Sequence, residues 1–174
     1  MENEKSRPSW DEYYMTIAVI TASRSSCLKF HTGAIIVKDN RIVSTGYNGN
    51  PTGVISCYEQ GFCNKEKANV NLLVKGSGHC LAAHGETNAI LHAGMNRAKG
   101  AKMYSLLFPC NECAKLIINS GIKELIYLFN YKEEVPKAEE MLKAAGVKFR
   151  KIELSQKKIN EMVERVYTQK SLNL

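Results

Sequence analysis

No run of apolar residues in this 174-residue chain approaches the roughly 20 that a transmembrane helix needs, so no membrane association is expected. The segment from Met1 to Pro8 is polar and charged and lacks the apolar stretch of an export signal, which makes a cytoplasmic protein the expectation. Proline is scarce, with four residues, and neither a linker-like stretch nor an internal repeat divides the sequence. Aromatic residues make up 8% with a single tryptophan, and they form no aromatic-rich basic groove of the kind that stacks single-stranded nucleic acid. Six cysteines would suggest three disulfides in a small exported domain, but without an export signal reduced thiols and metal binding are the better account.

What remains is the composition of an ordinary globular protein, 44% apolar and 24% charged. The length suits one domain spanning residues 1–174, with a core at 9–154, a long loop insertion at 48–80 and a C-terminal helix at 155–174. The formal charge of +7 invites a nucleic-acid reading. Its distribution weakens that reading, because residues 148–174 hold seven basic residues against three acidic ones and contribute a net +4. Lysines spread along a terminal helix suit a solvated face, and an anionic small substrate would also benefit from the field. Charge alone does not choose.

Trp10 to Ser23 carries apolar residues at helical spacing, with Ser9 as N-cap and Glu12 completing a capping box. Ala34–Val37 and Arg41–Tyr47 read as a β-hairpin turning at Lys38-Asp39-Asn40, and residues 48–80 break down into a Gly-, Asn- and Cys-rich loop. A loop of that length is functional or metal-stapled. Then follow a helix at His84–His92, a strand at Lys102–Phe108, a helix opened by Pro109 and ended by Gly121, and a strand at Glu124–Phe129. A helix at Glu133–Ala145, a strand at Val147–Ile152 and a helix begun by Ser155 complete the chain. Strands alternating with helices imply an α/β protein with a three-layer αβα arrangement.

Two short segments carry the chemistry: His84-Gly85-Glu86 and Pro109-Cys110-Asn111-Glu112-Cys113. Together they match the H-x-E followed by P-C-x-x-C signature of zinc-dependent nucleobase deaminases. His84, Cys110 and Cys113 supply one imidazole and two thiolates, which leave the fourth position of a tetrahedral zinc open for water. Helix N-termini help hold the cysteines as thiolates, and zinc suits nitrogen and sulfur donors better than magnesium or calcium does. Glu86 stands two residues from the histidine, where a carboxylate can move protons without occupying the metal. The alternative is a closed zinc knuckle in which a further cysteine completes the coordination.

Beyond these motifs, residues 9 to about 154 resemble deoxycytidylate (dCMP) deaminases of the phage and late-competence-operon type. The resemblance rests on Ser9-Trp10-Asp11-Glu12-Tyr13, Gly33–Val37, Gly46-Tyr47-Asn48-Gly49-Asn50-Pro51, Phe108–Ile118 followed by Ser120–Glu124, and Ala144-Ala145-Gly146-Val147. It implies a cytidine-deaminase-like fold with a mixed sheet of about five strands. It also implies hydrolysis of dCMP to dUMP and ammonia, feeding thymidylate synthesis. A homo-oligomer, hexamer or dimer, and regulation by dCTP with Mg2+ and by dTTP are implied in the same way. Asn48 would contact the sugar or base, Arg24 the phosphate, and Tyr131 would stack on the pyrimidine; a turn role for Asn48 and a plain core or surface role for Tyr131 stay open.

The resemblance further implies a second, structural zinc. Cys27 stands six residues before Gly33, as such a ligand does in those relatives, and Cys57, Cys63, His79 and Cys80 are available in the long loop. Cys27, Cys57, His79 and Cys80 are the expected set; free buried thiols are the alternative. One departure is Gly85, where the relatives usually have alanine; it either makes room for a bulkier substrate or is neutral. The competing functions are a deaminase of a base in tRNA or single-stranded DNA and an inactive zinc-stapled binding module. The intact Glu86 argues against the latter.

Overall fold

The computed structural model describes residues 7–74, 77–130 and 136–168. The first helix, α1 (Trp10–Ala22), starts as expected: the Ser9 hydroxyl accepts from the Glu12 amide and Glu12 accepts from the Ser9 amide. β1 (Gly33–Lys38) and β2 (Arg41–Tyr47) pair antiparallel, and Asp39 and Asn40 close the hairpin with φ of 50° and 55°, the left-handed pair of a type I′ turn. The loop insertion is not structureless. It carries two one-turn helices, α2 (Cys57–Gln60) and α3 (Asn64–Lys67), and the Lys65 ammonium folds back onto the carbonyls of Leu72 and Val74.

α4 (Gly85–Ala93) and the short α5 (Met95–Ala98), which the sequence pattern did not suggest, precede β3 (Lys102–Leu107). α6 runs Asn111–Asn119, so Pro109 stands outside it and Cys110 is its N-cap, a correction of two positions to the expected start. β4 (Glu124–Phe129), α7 (Pro136–Ala144), β5 (Lys148–Lys151) and α8 (Gln156–Tyr167) follow. The expected beginning of α7 at Glu133 and the end of the C-terminal helix beyond Thr168 lie outside the described residues.

The five strands form one mixed sheet in the order β2-β1-β3-β4-β5. β1 is antiparallel to β2 and β3, whereas β3, β4 and β5 are parallel. Neighbouring residues of each central strand point into opposite cores. Ile36, Met103 and Leu125 pack with α4, α6 and α7 on one face; Ile35, Tyr104 and Ile126 pack with α1 on the other. This is the expected three-layer αβα arrangement with five strands.

Two glycines at one end of the hairpin set how closely the layers meet. A β-carbon on Gly33 would lie 2.4 Å from the Ala18 carbonyl oxygen of α1. On the opposite face, a β-carbon on Gly46 would lie 2.2 Å from the Ala89 amide nitrogen and 2.3 Å from the Gly85 oxygen of α4. Only glycine lets helix backbone approach strand backbone this tightly. α4 is further tied to β2 by the Ser44 hydroxyl donating to Ala89 O (2.7 Å) and the Asn88 amide donating to Tyr47 O (2.8 Å).

Candidate active site

The N-termini of α4 and α6 converge at one end of the sheet. His84 is the N-cap of α4 and Cys110 that of α6; both are extended, with no side-chain capping bond, so the ring and the thiol are left for other work. Cys113 follows in the first turn of α6. A two-way bridge between Gly49 and Ala83 (3.2 and 2.9 Å) straps the start of the long loop beside His84.

His84 Nδ1 lies 3.3 Å from Cys113 Sγ and 3.5 Å from Cys110 Sγ. All three donor atoms fall within 4.8 Å of one another, and among the described residues no other His, Cys, Asp or Glu group does so. Tetrahedral zinc with bonds of about 2.3 Å to sulfur and about 2.0 Å to nitrogen has a nitrogen–sulfur edge near 3.5 Å, so the trio fits zinc as it stands. The Cys113 thiol and His84 hydrogen-bond to the Cys110 sulfur and pull its pKa well below the ordinary thiol value, against the cost of burial. The Cys113 thiol is pushed up by that same shared bond, by burial and by the nearby Glu86 carboxylate.

Glu86 sits in the first turn of α4, 6% exposed, close enough to Cys113 for its charge to bear on the thiol. Thr87 Oγ1 lies 3.8 Å from Cys113 Sγ. That threonine follows the glutamate without any motif to flag it, and only the fold brings it to the sulfur. Gly85 faces away from the metal site: its β-carbon would meet Gly46 O at 3.2 Å, Thr32 O at 3.3 Å and Gly33 Cα at 3.4 Å. Of the two readings of Gly85, room for a bulkier substrate or no effect, the surroundings speak against the first, because the space beside it is taken up by strand backbone.

The remaining expected residues fare differently. Asn48 is buried, and its amide clamps the segment before β1, accepting from the Thr32 amide and donating to Phe30 O, both at 2.8 Å. One N–H and one lone pair of that amide remain for a ligand. Arg24 is exposed just past α1 and forms no ion pair among the described residues. Tyr131 lies outside the described residues.

Cys27, Cys57, His79 and Cys80 line one small cavity of about 30 Å³. Cys63, left out of the expected set, lines it too and is the most buried of the five, at 8% exposure. Cys27 Sγ accepts from the Lys29 and Phe30 amides, both at 3.4 Å, and burial pushes the Cys57 thiol up. No three of these donors come within 4.8 Å of one another.

Residues 8–129 match the family model described as the cytidine and deoxycytidylate deaminase zinc-binding region. The chain belongs to this deaminase family. It is 40% identical over 147 residues to the deoxycytidylate deaminase of Schizosaccharomyces pombe, covering 83% of this chain and 44% of that protein. The mouse (Mus musculus) deoxycytidylate deaminase is 42% identical over 146 residues, covering 82% of this chain and 79% of that protein. The chain thus spans less than half the length of the Schizosaccharomyces relative. Among solved structures, the cyanophage S-TIM5 dCMP deaminase in complex with dCMP and dUMP superposes with a TM-score of 0.66 at 26% identity, covering 85% of this chain and all (100%) of that one. The family binds zinc, and among the described residues the His84, Cys110 and Cys113 donors are the set that fits it.

Proposed function

We propose that the protein hydrolyses dCMP to dUMP and ammonia at the His84–Cys110–Cys113 centre, supplying the deoxyuridylate from which thymidylate is made. The observation that carries this is a buried carboxylate, Glu86, in the first turn of the helix that His84 caps, beside three donor atoms within 4.8 Å of one another. Relatives named deoxycytidylate deaminase, matched over more than four-fifths of this chain, support dCMP as substrate. His84, Cys110 and Cys113 would hold a zinc ion, which would supply the acidification that turns water into a nucleophile near neutral pH. Glu86 accepts a proton from the attacking water and delivers it to the ring nitrogen N3. As the water oxygen bonds to C4, Glu86 is left free to take the remaining proton from the new C4 hydroxyl and pass it to the amino group; the C4–N bond then breaks and ammonia leaves, so water has replaced amine with no other co-reactant. Asn48 offers its remaining N–H to the sugar or base, and Arg24 its charge to the phosphate.

The cavity under Cys27, Cys57 and Cys63 supports a second, structural zinc, with His79 or Cys80 as its fourth ligand. Binding there draws the cysteines together and fixes a loop that carries few apolar contacts of its own. We further propose a homo-oligomer of the cytoplasm that responds to dCTP with Mg2+ and to dTTP, as the resemblance implies.

One set of incubations tests the reading: dCMP, dCTP, cytidine and a cytosine-containing oligonucleotide, each with and without dCTP and magnesium. Conversion of dCMP is the expected result. Conversion of the oligonucleotide alone, or of nothing, overturns it.

A further inference from the structure

Threonine in a helix ordinarily turns its hydroxyl back onto the carbonyl three or four residues earlier. This chain does so at Thr16, which donates to Glu12 O at 2.8 Å, and at the end of α8, where Thr168 donates to Glu164 O at 3.0 Å. Thr87, the third residue of α4, does otherwise. Its hydroxyl has no carbonyl partner among the described residues and lies 3.8 Å from the sulfur of Cys113, 26 positions on in α6.

Local packing does not ask for a hydroxyl there. Thr87 is half-buried where α4 lies against α6. One turn on, Ile90 belongs to the apolar core that also holds Ala114 and Ile117 of α6. Threonine is a poorer helix former than leucine or methionine, and an aliphatic side chain would serve the packing as well. What the hydroxyl faces explains it better.

It faces a sulfur in need of a donor. Cys113 is 1% exposed, out of reach of water, and its bond to Cys110, its burial and the Glu86 carboxylate all oppose a negative charge on it. As a metal ligand this residue has to be a thiolate, which has no proton to give. The hydroxyl is then the donor and the sulfur the acceptor, and a charged acceptor strengthens such a bond. His84 Nδ1, 3.3 Å from the same sulfur, cannot serve instead, because as a ligand it turns its lone pair to the ion and carries no proton.

We propose that Thr87 is a positioning residue of the metal centre: its hydroxyl donates to the Cys113 thiolate, fixes the orientation of that sulfur and draws electron density from it. This role rests on the reading of His84, Cys110 and Cys113 as the zinc site. Density drawn from a ligating sulfur leaves more positive charge at the ion, and loss of such outer contacts costs about 10- to 100-fold in metal affinity.

Two substitutions separate the hydroxyl from the rest of the side chain. Thr87→Val keeps the shape and removes the donor; Thr87→Ser keeps the donor and removes a methyl group. Full-length protein loaded with zinc is dialysed against rising concentrations of a competing chelator, and the ions retained per chain are counted. Thr87→Val is expected to release one ion at a chelator concentration about tenfold or more below that needed for the parent chain, and Thr87→Ser to stay close to the parent. With Co2+ in place of zinc, the thiolate-to-cobalt absorption is expected at longer wavelength in Thr87→Val, because a sulfur without its donor gives up charge more readily. The other cysteines are common to both chains, so the difference belongs to this centre. Melting of the metal-free chains reports packing damage; where Thr87→Val melts lower, Thr87→Ala compared with Thr87→Ser puts the same question.

Zinc retention equal to the parent's without the hydroxyl, or an unmoved cobalt band, overturns the proposal. So does a Thr87→Ser variant as weak as the variants that lack the hydroxyl. A parent chain that retains no more ions than Cys110→Ser has no ion at this centre, which overturns the zinc reading and the proposal with it.

Discussion

A β-carbon on Gly85 would stand 3.2 Å from the carbonyl oxygen of Gly46, closer than carbon and oxygen comfortably pack. That contact lies between the first residue of α4 and the end of β2, on the side of the helix turned from the metal donors. The neighbouring backbone has to yield by a few tenths of an ångström to admit a methyl group. Gly85→Ala is therefore expected to cost about 1 kcal/mol of stability, the low end for overpacking, with the preference among dCMP and its ring-substituted analogues unchanged. Denaturant midpoints and kcat/KM ratios for the analogues check this; a changed ratio would return Gly85 to the substrate pocket.

Gly46 tolerates far less. Its β-carbon would meet the Ala89 amide nitrogen at 2.2 Å, and that atom belongs to helix backbone that cannot swing aside. Gly46→Ala is expected to push α4 off the sheet, destabilise the protein by about 3 kcal/mol or more, and carry His84 and Glu86 out of line with Cys110 and Cys113. Thermal melts combined with zinc content measure both effects. A variant that keeps its melting temperature and its zinc contradicts the packing seen here.

Glu86 is separable from the metal. Glu86→Gln keeps the volume and removes the proton acceptor, so deamination is expected to fall by about 10² to 10⁴ while zinc stays bound. Cys113→Ser removes a metal donor and is expected to lose zinc and activity together. The measurements are turnover of dCMP and metal content on the same preparation. Full rate in the Glu86→Gln variant would sink the proton-transfer role.

Which of these features the sequence makes legible follows a physical division. The capping box at Ser9 and Glu12, the Asp39-Asn40 turn and the H-x-E and C-x-x-C spacings are local, set by residues within a few positions, and the structure reproduces them. The strand pattern also gives the opposite-facing pairs Ile35/Ile36 and Leu125/Ile126. What local pattern does not carry is contact across the chain. Asn48 reads as a substrate ligand or a turn residue, yet its amide holds Phe30 and Thr32 some 16 to 18 positions away. Gly85 reads as a pocket residue until Gly46 and Thr32 are placed against it. Cys63 carries no spacing signal relative to Cys27, and only the folded loop puts them in one cavity.

Acid should unmake one polar cluster before the rest. Asp11 on α1 receives Arg150 of β5 at 2.7 Å and the Tyr104 hydroxyl of β3 at 2.8 Å, and Arg150 also reaches Glu124 of β4 at 2.9 Å. The Arg150 guanidinium holds the Asp11 carboxyl below its ordinary value of 3.8, against the opposing effect of burial. Because the folded value is the lower one, this stabilisation is fully present above the unfolded value near 3.8 and is lost as pH falls through the folded one. Asp11→Asn should then melt lower than the parent chain at pH 6, with the gap closing below pH 4. Melting curves across that range decide it, and a gap that persists into strong acid would mean the carboxylate charge is not what Arg150 holds.

The second zinc is decided by counting. Three cysteines that surround a cavity of about 30 Å³ without closing on a point have two states open to them: free thiols, or a site that metal draws together. The protein purified without chelator is expected to hold two zinc ions per chain. Cys63→Ser, which alters the most buried of the loop thiols, is expected to retain one ion and dCMP turnover near the parent rate, while the segment around α2 and α3 becomes sensitive to protease. Cys110→Ser is expected to retain the other ion and no turnover. Metal analysis giving one ion in the parent chain removes the second zinc and leaves the loop held by the Lys65 ammonium and its carbonyl partners, whereas a Cys63→Ser variant that still holds two ions removes Cys63 from the ligands and leaves Cys27, Cys57, His79 and Cys80.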